Sequence, residues 1–224
     1  MNDNTIQCLW IGDKLSQLEI KSIHSFLHLG YNVDLYIYDN VLGIPSNDKL
    51  QIKDANDIVS RDRLFSVMNS HLPFSDYWRF NLLYKKGGIW MDLDMIALRK
   101  FPFEKYDYVF SSEATVQSGT LKSKNKQATN IGVLKAPKGS EFYKRLIEKC
   151  EHKMKSNGIK KKTALMKLLR VMIDKYNYQC FVQPPLSFCP IHWWHTKELF
   201  QGQVIFREKW GVPGYNKKEI FDNP

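Results

Sequence analysis

The opening forty residues permit few architectures. An apolar run, "IQCLWIG" (6–12), ends in glycine and reads as a buried strand. In "LSQLEIKSIHSFLHLG" (15–30), Leu15, Leu18, Ile23, Phe26 and Leu27 recur at roughly helical spacing before Gly30 stops the pattern. The β-branched and aromatic "VDLYIYD" (33–39) then reads as a second strand. Strand, helix and strand at this length form a βαβ unit, and its crossover makes the two strands parallel.

The remaining pattern continues the same alternation. Residues 40–58, with Gly43, Pro45, Ser46 and Asn47, read as polar loop. The spacing predicts a helix over 75–88, N-capped by Ser75 or Asp76, with Trp78, Leu82 and Leu83 on one stripe and Gly87-Gly88 as its stop. "IWMDLD" (89–94), "YDYVFSSE" (106–113) and "NIGVLKAP" (130–137) read as strands, and 139–156 and 160–176 as helices. The tail, with "FVQPPLSFCPIHWWH" and "QVIFREKWGVPGY", is aromatic and Pro-broken, with strand character near 203–207. There is no internal repeat and no low-complexity linker. A hydrophobic content of 43% in 224 residues suits a single α/β domain over 1–224, in which about 139–224 adds helices and a closing loop.

Composition narrows the partners. Lys and Arg outnumber Asp and Glu by 33 to 23, a net charge of +10, which favours anionic partners without choosing among them. Cys8, Cys150, Cys180 and Cys189 show no Cys-x-x-Cys pair and read as reduced, buried thiols. "MNDNTIQCLW" lacks the basic and apolar regions of a signal peptide. No apolar run approaches the roughly 20 residues that cross a bilayer. The expectation is a soluble cytoplasmic protein.

The informative stretch is "GGIWMDLD" (87–94). Alternate residues of an extended strand share a side, so Asp92 and Asp94 are expected to sit together and repel unless a cation intervenes. A hard divalent ion with oxygen ligands, Mn2+ or Mg2+, suits such a pair at the carboxyl edge of a parallel sheet, where α/β folds bind ligands. An isolated Asp-x-Asp also occurs as a solvated pair that merely blunts a strand edge.

The surrounding block, "SDYWRFNLLYKKGGIWMDLD", resembles the signature of Asp-x-Asp glycosyltransferases of the GT-A fold. The likeness is closest to the family-32 group, which includes capsular polysaccharide transferases, initiating mannosyltransferases of yeast and α-1,4-galactosyltransferases; large clostridial toxins carry a related block. Ser75, Asp76, Arg79, Leu82-Leu83, Gly87-Gly88, Trp90 and Asp92-x-Asp94 carry the resemblance. It extends more loosely to "LWIGDKLSQLE", "LYIYD", "TNIGVLKAPKGS" and "SFCPI".

The resemblance implies a GT-A fold: a Rossmann-like, nucleotide-sugar-binding mixed sheet flanked by helices. It implies roles for single residues as well. Trp10 would lie beside the base, with core packing as the alternative, and Asp39 near the base or ribose. Asp76 and Arg79, three apart on one helix face, would contact donor sugar hydroxyls, with Arg79 also aligning Asp76. Asp92 would meet the ribose and, through water, the metal; Asp94 would ligate the metal directly. Asn130 resembles an Asn near the donor sugar, and a turn-forming Asn is an equal reading. At the chain end the family pattern carries a His or another ligand and a Trp. Here "REKWGVPGYNKK" (207–218) holds Trp210 and Tyr215 with no His, leaving Glu208, Asn216 or water as third metal ligand and His192 and His195 as weaker candidates.

The implied activity is retaining transfer of a hexose from a nucleotide diphosphate sugar, a UDP-sugar, to a glycan or lipid-linked saccharide, or to a protein acceptor as in the toxin-like relatives. The Lys-rich 144–175 segment reads as a solvated helical face or as a contact with anionic membrane. Two rival classes fit worse. A haloacid-dehalogenase-type phosphatase places Asp-x-Asp near the chain start and follows it with Thr or Val, whereas Met95-Ile96 follows here at mid-chain. A nucleic-acid-binding module lacks its basic-aromatic motif, and paired aspartates repel phosphate.

Overall fold

The computed structural model describes residues 4–115, 126–156 and 158–189. The predicted βαβ unit is there: β1 (Thr5–Trp10), α1 (Gln17–His28) and β2 (Asn32–Ile37). β1 and β2 run parallel, in register from Thr5↔Asn32 to Trp10↔Ile37. Ser16 starts α1 with a reciprocal capping box, its side chain accepting from the backbone while Glu19 accepts from the Ser16 N–H. The four central residues of β1 are all buried, as a strand covered on both faces requires.

β4 (Gly88–Met91) lies on the other side of β1, again parallel. Together with β3 (Leu50–Asp54), β5 (Val109–Thr115) and β6 (Lys126–Ala136) the order is β3-β2-β1-β4-β6-β5. β6 runs antiparallel to β4, from Gly88↔Ala136 to Met91↔Val133, so the sheet is mixed. The helices are α2 (Leu72–Lys85), α3 (Glu141–Lys155), α4 (Ala164–Lys175) and the short α5 (Pro185–Phe188). By compactness the chain divides into Met1–Phe110 with Asn130–Val182, and Ser111–Thr129 with Gln183–Pro224. In the second unit the described residues include α5 and a bond in which the Ser112 hydroxyl donates to the Gln183 carbonyl at 2.6 Å.

Four expectations need correction. Residues 50–54 are a strand, not loop: β3 pairs in parallel with β2 at the sheet edge. Its side chains are half-buried or exposed, so no apolar pattern announced it. α2 begins at Leu72, three residues before the expected cap; Pro73 occupies the first turn, where its missing N–H costs no hydrogen bond. Ser75 and Asp76 are therefore inside the helix. β4 stops at Met91, so the aspartates lie in the turn beyond it. Of the four cysteines, Cys8 and Cys150 are buried but Cys180 is exposed and Cys189 intermediate.

α2 is buried along nearly its whole length, which explains why its stripe is broad. Trp78 packs between Tyr36 and Trp90, with ring centroids 5.1 and 5.9 Å apart, and its indole N–H donates to the Ala55 carbonyl at 3.2 Å. Rings of this size dominate the apolar area a domain of this size buries. On the far face of α2, Phe80 meets Tyr143 of α3.

The helix must then reverse into β4 at once. Gly87 does this at φ 69°, a left-handed conformation that favours glycine. A Cβ on Gly87 would stand 2.4 Å from the Lys138 amide nitrogen and 3.1 Å from the Ala136 carbonyl oxygen, both backbone atoms of the strand end opposite. Gly87→Ala is expected to lower stability by about 2–3 kcal/mol or more, since strain and overlap add. Thermal unfolding followed by circular dichroism should show the midpoint falling by roughly 5–10 °C.

Candidate active site at the carboxyl edge of the sheet

Three parallel strands deliver the site. β1 ends at Trp10, β2 leads into Tyr38 and Asp39, and β4 leads into Asp92 and Asp94, all at one edge of the sheet. α2 runs back towards β4, so its first turns, carrying Ser75, Asp76 and Arg79, reach the same edge.

Arg79 is 3% exposed, and five protein acceptors meet its guanidinium. Nε donates to the Ser75 carbonyl at 3.2 Å, and Nη2 to the Ser75 hydroxyl at 2.9 Å. Nη1 donates to Asp92 Oδ1 at 2.6 Å and to the Ile131 carbonyl at 2.8 Å. Nη2 also lies 3.5 Å from Asp76 Oδ1. The group stacks on Trp90, its carbon 4.5 Å from the ring centroid. The cation that relieves Asp92 is thus a residue of the chain itself, thirteen positions earlier.

Asp92 is held at one oxygen only. Oδ1 accepts from Arg79 and from the Trp90 indole N–H at 3.0 Å. Oδ2 accepts no hydrogen bond from the described residues and lies beside Gly132, where an added Cβ would be 3.6 Å away. Burial and, after the opposing pull of Arg79, the charge of Asp94 push the Asp92 carboxyl above its usual range. Asp94 is exposed. The pair therefore does not form the symmetric strand-end couple expected from alternation. One member is anchored inward and the other is open to solvent.

Asp76 is 2% exposed, and burial pushes its carboxyl up to about 7 against the pull of Arg79, with Asp92 adding to the rise. Asn130 lies within β6, not in a turn, and its side-chain oxygen accepts from the Gly132 N–H at 3.3 Å. Gly132 thereby joins Asn130 to the free side of Asp92.

A second feature opens beside β1. Trp10, Ile11, Gly12, Tyr38, Asp39, Arg61 and Leu64 line a shallow cleft open to solvent. Trp10 is half-buried, and its indole N–H lacks a hydrogen-bond partner among the described residues. Gly12 keeps this wall close, because a Cβ there would stand 3.2 Å from that nitrogen and the indole would have to give way by a few tenths of an ångström. Asp39 pairs with Arg61 across the mouth of the cleft, both side chains more than half exposed. Arg61 and Leu64 were not legible as cleft residues, because nothing local ties them to the ends of β1 and β2. Glu208, Trp210 and Tyr215, with Asn216, His192 and His195, lie outside the described residues.

Comparison with known proteins agrees with this geometry. Residues 16–116 match the family described as "Glycosyltransferase sugar-binding region containing DXD motif". The chain carries a glycosyltransferase region, and it is an enzyme of that class. Its fold is similar to a solved structure named "PaToxG Glycosyltransferase", with a TM-score of 0.53 and 19% identity over 99% of this chain and 84% of that chain. No curated protein matches the chain. The architecture expected from the sequence, a mixed sheet flanked by helices, is the one observed.

A transferase region with this motif implies a divalent cation, and the residues present fit one. The free oxygen of Asp92 and the exposed carboxylate of Asp94 are two hard donors, and a magnesium-type ion completes its shell with water and phosphate. Among the described residues no third His, Cys, Asp or Glu joins them.

The raised Asp76 pKa has a signed consequence. The folded chain keeps this proton up to about pH 7, whereas the unfolded chain releases it near the model-compound value of 3.8. Between those limits the folded state binds more protons, so this group's contribution to stability falls as pH rises. In metal-free buffer, the stability of wild type minus that of Asp76→Asn is expected to be constant below about pH 4 and to decline towards pH 7, by at most about 1.4 kcal/mol per unit. Urea unfolding at a series of pH values measures it. A difference that grows with pH would show instead that Arg79 holds the carboxylate ionised.

Proposed function

We propose that the protein is a metal-dependent, retaining hexosyltransferase that uses a UDP-sugar and glycosylates a glycan or lipid-linked saccharide in surface polysaccharide synthesis of bacterial type, working as a peripheral protein at the inner membrane face. The observation that carries this reading is the juxtaposition at one sheet edge. An aromatic cleft ends β1, and a half-anchored, half-open carboxylate pair follows the adjacent parallel strand β4. A nucleoside needs the first and a diphosphate the second, and α/β sheets bind ligands at this edge. A second reading, in which the acceptor is a protein, follows the resemblance of the Asp-x-Asp block to that of the toxin-like relatives.

Asp92 and Asp94 would hold the divalent cation, Mn2+ or Mg2+, which supplies positive charge where the departing diphosphate accumulates negative charge. Every other role falls to side chains. Trp10 offers a ring face to the base, and Asp39 an acceptor to the ribose once Arg61 yields it. Asp76 meets sugar hydroxyls, as acceptor when ionised and as donor when protonated. Arg79 acts as a positioning residue: four of its donors are engaged by Ser75, Asp92 and the Ile131 carbonyl and its charge lies 3.5 Å from Asp76, so it aligns the acids. Asn130 frames the opposite side of the pair. In the front-face route the bond from the anomeric carbon to the diphosphate oxygen breaks. The acceptor hydroxyl attacks from the same face, and its proton passes to the departing phosphate oxygen.

Two measurements test this. Asp94→Ala is expected to lower metal-dependent donor hydrolysis by about 100-fold or more, the scale of losing a group that stabilises developing charge, with an unchanged circular dichroism spectrum because Asp94 is exposed. Activity close to wild type at saturating donor would remove the assignment. UDP together with manganese should raise the thermal midpoint where neither does so alone. Trp10→Ala should abolish that joint shift.

A further inference from the structure

Between Glu151 and Asp174 the chain contains no acidic residue, while it carries Lys153, Lys155, Lys160, Lys161, Lys162, Lys167 and Arg170. Charge runs on helices are usually interleaved with the opposite sign, so this exclusion invites a physical reason. Lys155, Lys160, Lys161, Lys162 and Lys167 are all exposed, and Val171, 60% exposed, stands one turn beyond Lys167 on α4. No described ion pair uses any of these lysines; the ion pairs of α3 gather at Glu141, near its start, and at Glu151.

The position of this cluster matters more than its charge. α3 begins beside the end of α2, where the Gly139 N–H donates to the Tyr84 carbonyl. It ends beside the start of α2, where the Tyr77 hydroxyl donates to Glu151 at 2.7 Å. Arg63, from the 61–64 stretch that lines the Trp10 cleft, donates to the same carboxylate at 3.1 Å. α4 then returns antiparallel, with Tyr176 at its end against Phe142 and Arg145 at the start of α3. The α3–α4 turn and the first turn of α4 therefore sit at the carboxyl edge of β4, the edge that carries Asp92 and Asp94. All of these residues belong to the same compact unit.

We propose that the α3–α4 turn is a docking surface for an anionic lipid bilayer, and that it holds the catalytic edge facing the headgroups. The membrane location rests in part on the transferase reading above; the docking surface itself does not. Exposed lysines are point charges without the planar fork that reads a phosphodiester bidentately, and they act additively over a diffuse negative plane. An exposed Val beside them suits the headgroup boundary better than a nucleic-acid groove. No helix among the described residues is long and apolar enough to cross a membrane, so contact through this surface would be peripheral. The function of the arrangement is orientation: a lipid-linked acceptor would meet the open side of the site without a search in three dimensions.

The experiment is sedimentation of the full chain with vesicles of phosphatidylcholine alone and with 30 mol% phosphatidylserine (roughly the anionic fraction of a strongly charged leaflet). Binding is expected to the anionic vesicles only, and to fall at least about tenfold when salt is raised from 0.05 to 0.5 M, because screening shortens to a few Å. A triple variant, Lys160→Glu with Lys161→Glu and Lys162→Glu, is expected to lose that binding about tenfold or more. The milder triple Gln variant should lose less of it. Donor hydrolysis in solution, measured alongside without vesicles, should be unchanged in both, because none of the three touches the site. Equal binding to both vesicle types, or wild-type binding by the Glu variant, overturns the proposal. So does tighter retention on single-stranded RNA than on anionic vesicles, if the same variant abolishes it. Vesicle binding without donor hydrolysis would leave the docking surface standing and remove the transferase reading, so the two fail separately.

Discussion

One buried guanidinium organises the functional half of this protein. Arg79 projects from α2 into a space bounded by the turn after β4 and by the β6 backbone, and it satisfies acceptors from all three. An unpaired arginine at 3% exposure would be costly, and two aspartates beside it without a cation would be costlier. Each group is tolerable only because the others are present. The ion pair between Arg79 and Asp92 is therefore better understood as a device for geometry than as a source of stability. It fixes which oxygen of Asp92 faces inward.

That division of labour explains why neighbouring carboxylates behave differently. Asp92 is held by two donors and so presents a single oxygen in a fixed direction, while Asp94 stays in solvent with its usual freedom. A metal site built from one rigid and one adaptable acid admits an ion whose remaining ligands arrive with substrate. Asp76 sits behind them with its proton poised near neutrality, so the inner wall of the site can gain or lose charge as a ligand enters. The aromatic floor of Trp78, Trp90 and Tyr36 excludes water from beneath this network, which strengthens every electrostatic interaction above it.

The reversal at Gly87 and the antiparallel β6 extend the same logic to the fold. A mixed sheet brings the β6 backbone alongside the turn after β4, where the Asp92 N–H donates to the Gly132 carbonyl at 2.8 Å. A wholly parallel arrangement would have required another crossover helix at this point. The antiparallel strand also sends α3 back along α2, which places the end of α3 and the start of α4 at the catalytic edge. A cationic surface and the candidate site thus share a rim as a consequence of strand direction.

Much of this was readable before any coordinates. The strands β1 and β2, the helix between them, α3 and α4 show local periodicity, and local periodicity is what burial on one or two faces imposes on a chain. The spacing of Asp92 and Asp94, and the block that holds Asp76 and Arg79, marked out the candidate site as well. β3 was invisible because an edge strand with exposed sides needs no apolar alternation, and the start of α2 was hidden behind Pro73. The sequence by itself determined which residues carry charge, and how far apart along the chain they stand. Only the tertiary structure decided which charge neutralises which. Arg79 reaches an acid thirteen residues away and a carbonyl fifty-two away, and contacts at those separations depend on how three elements pack, a property no single segment encodes.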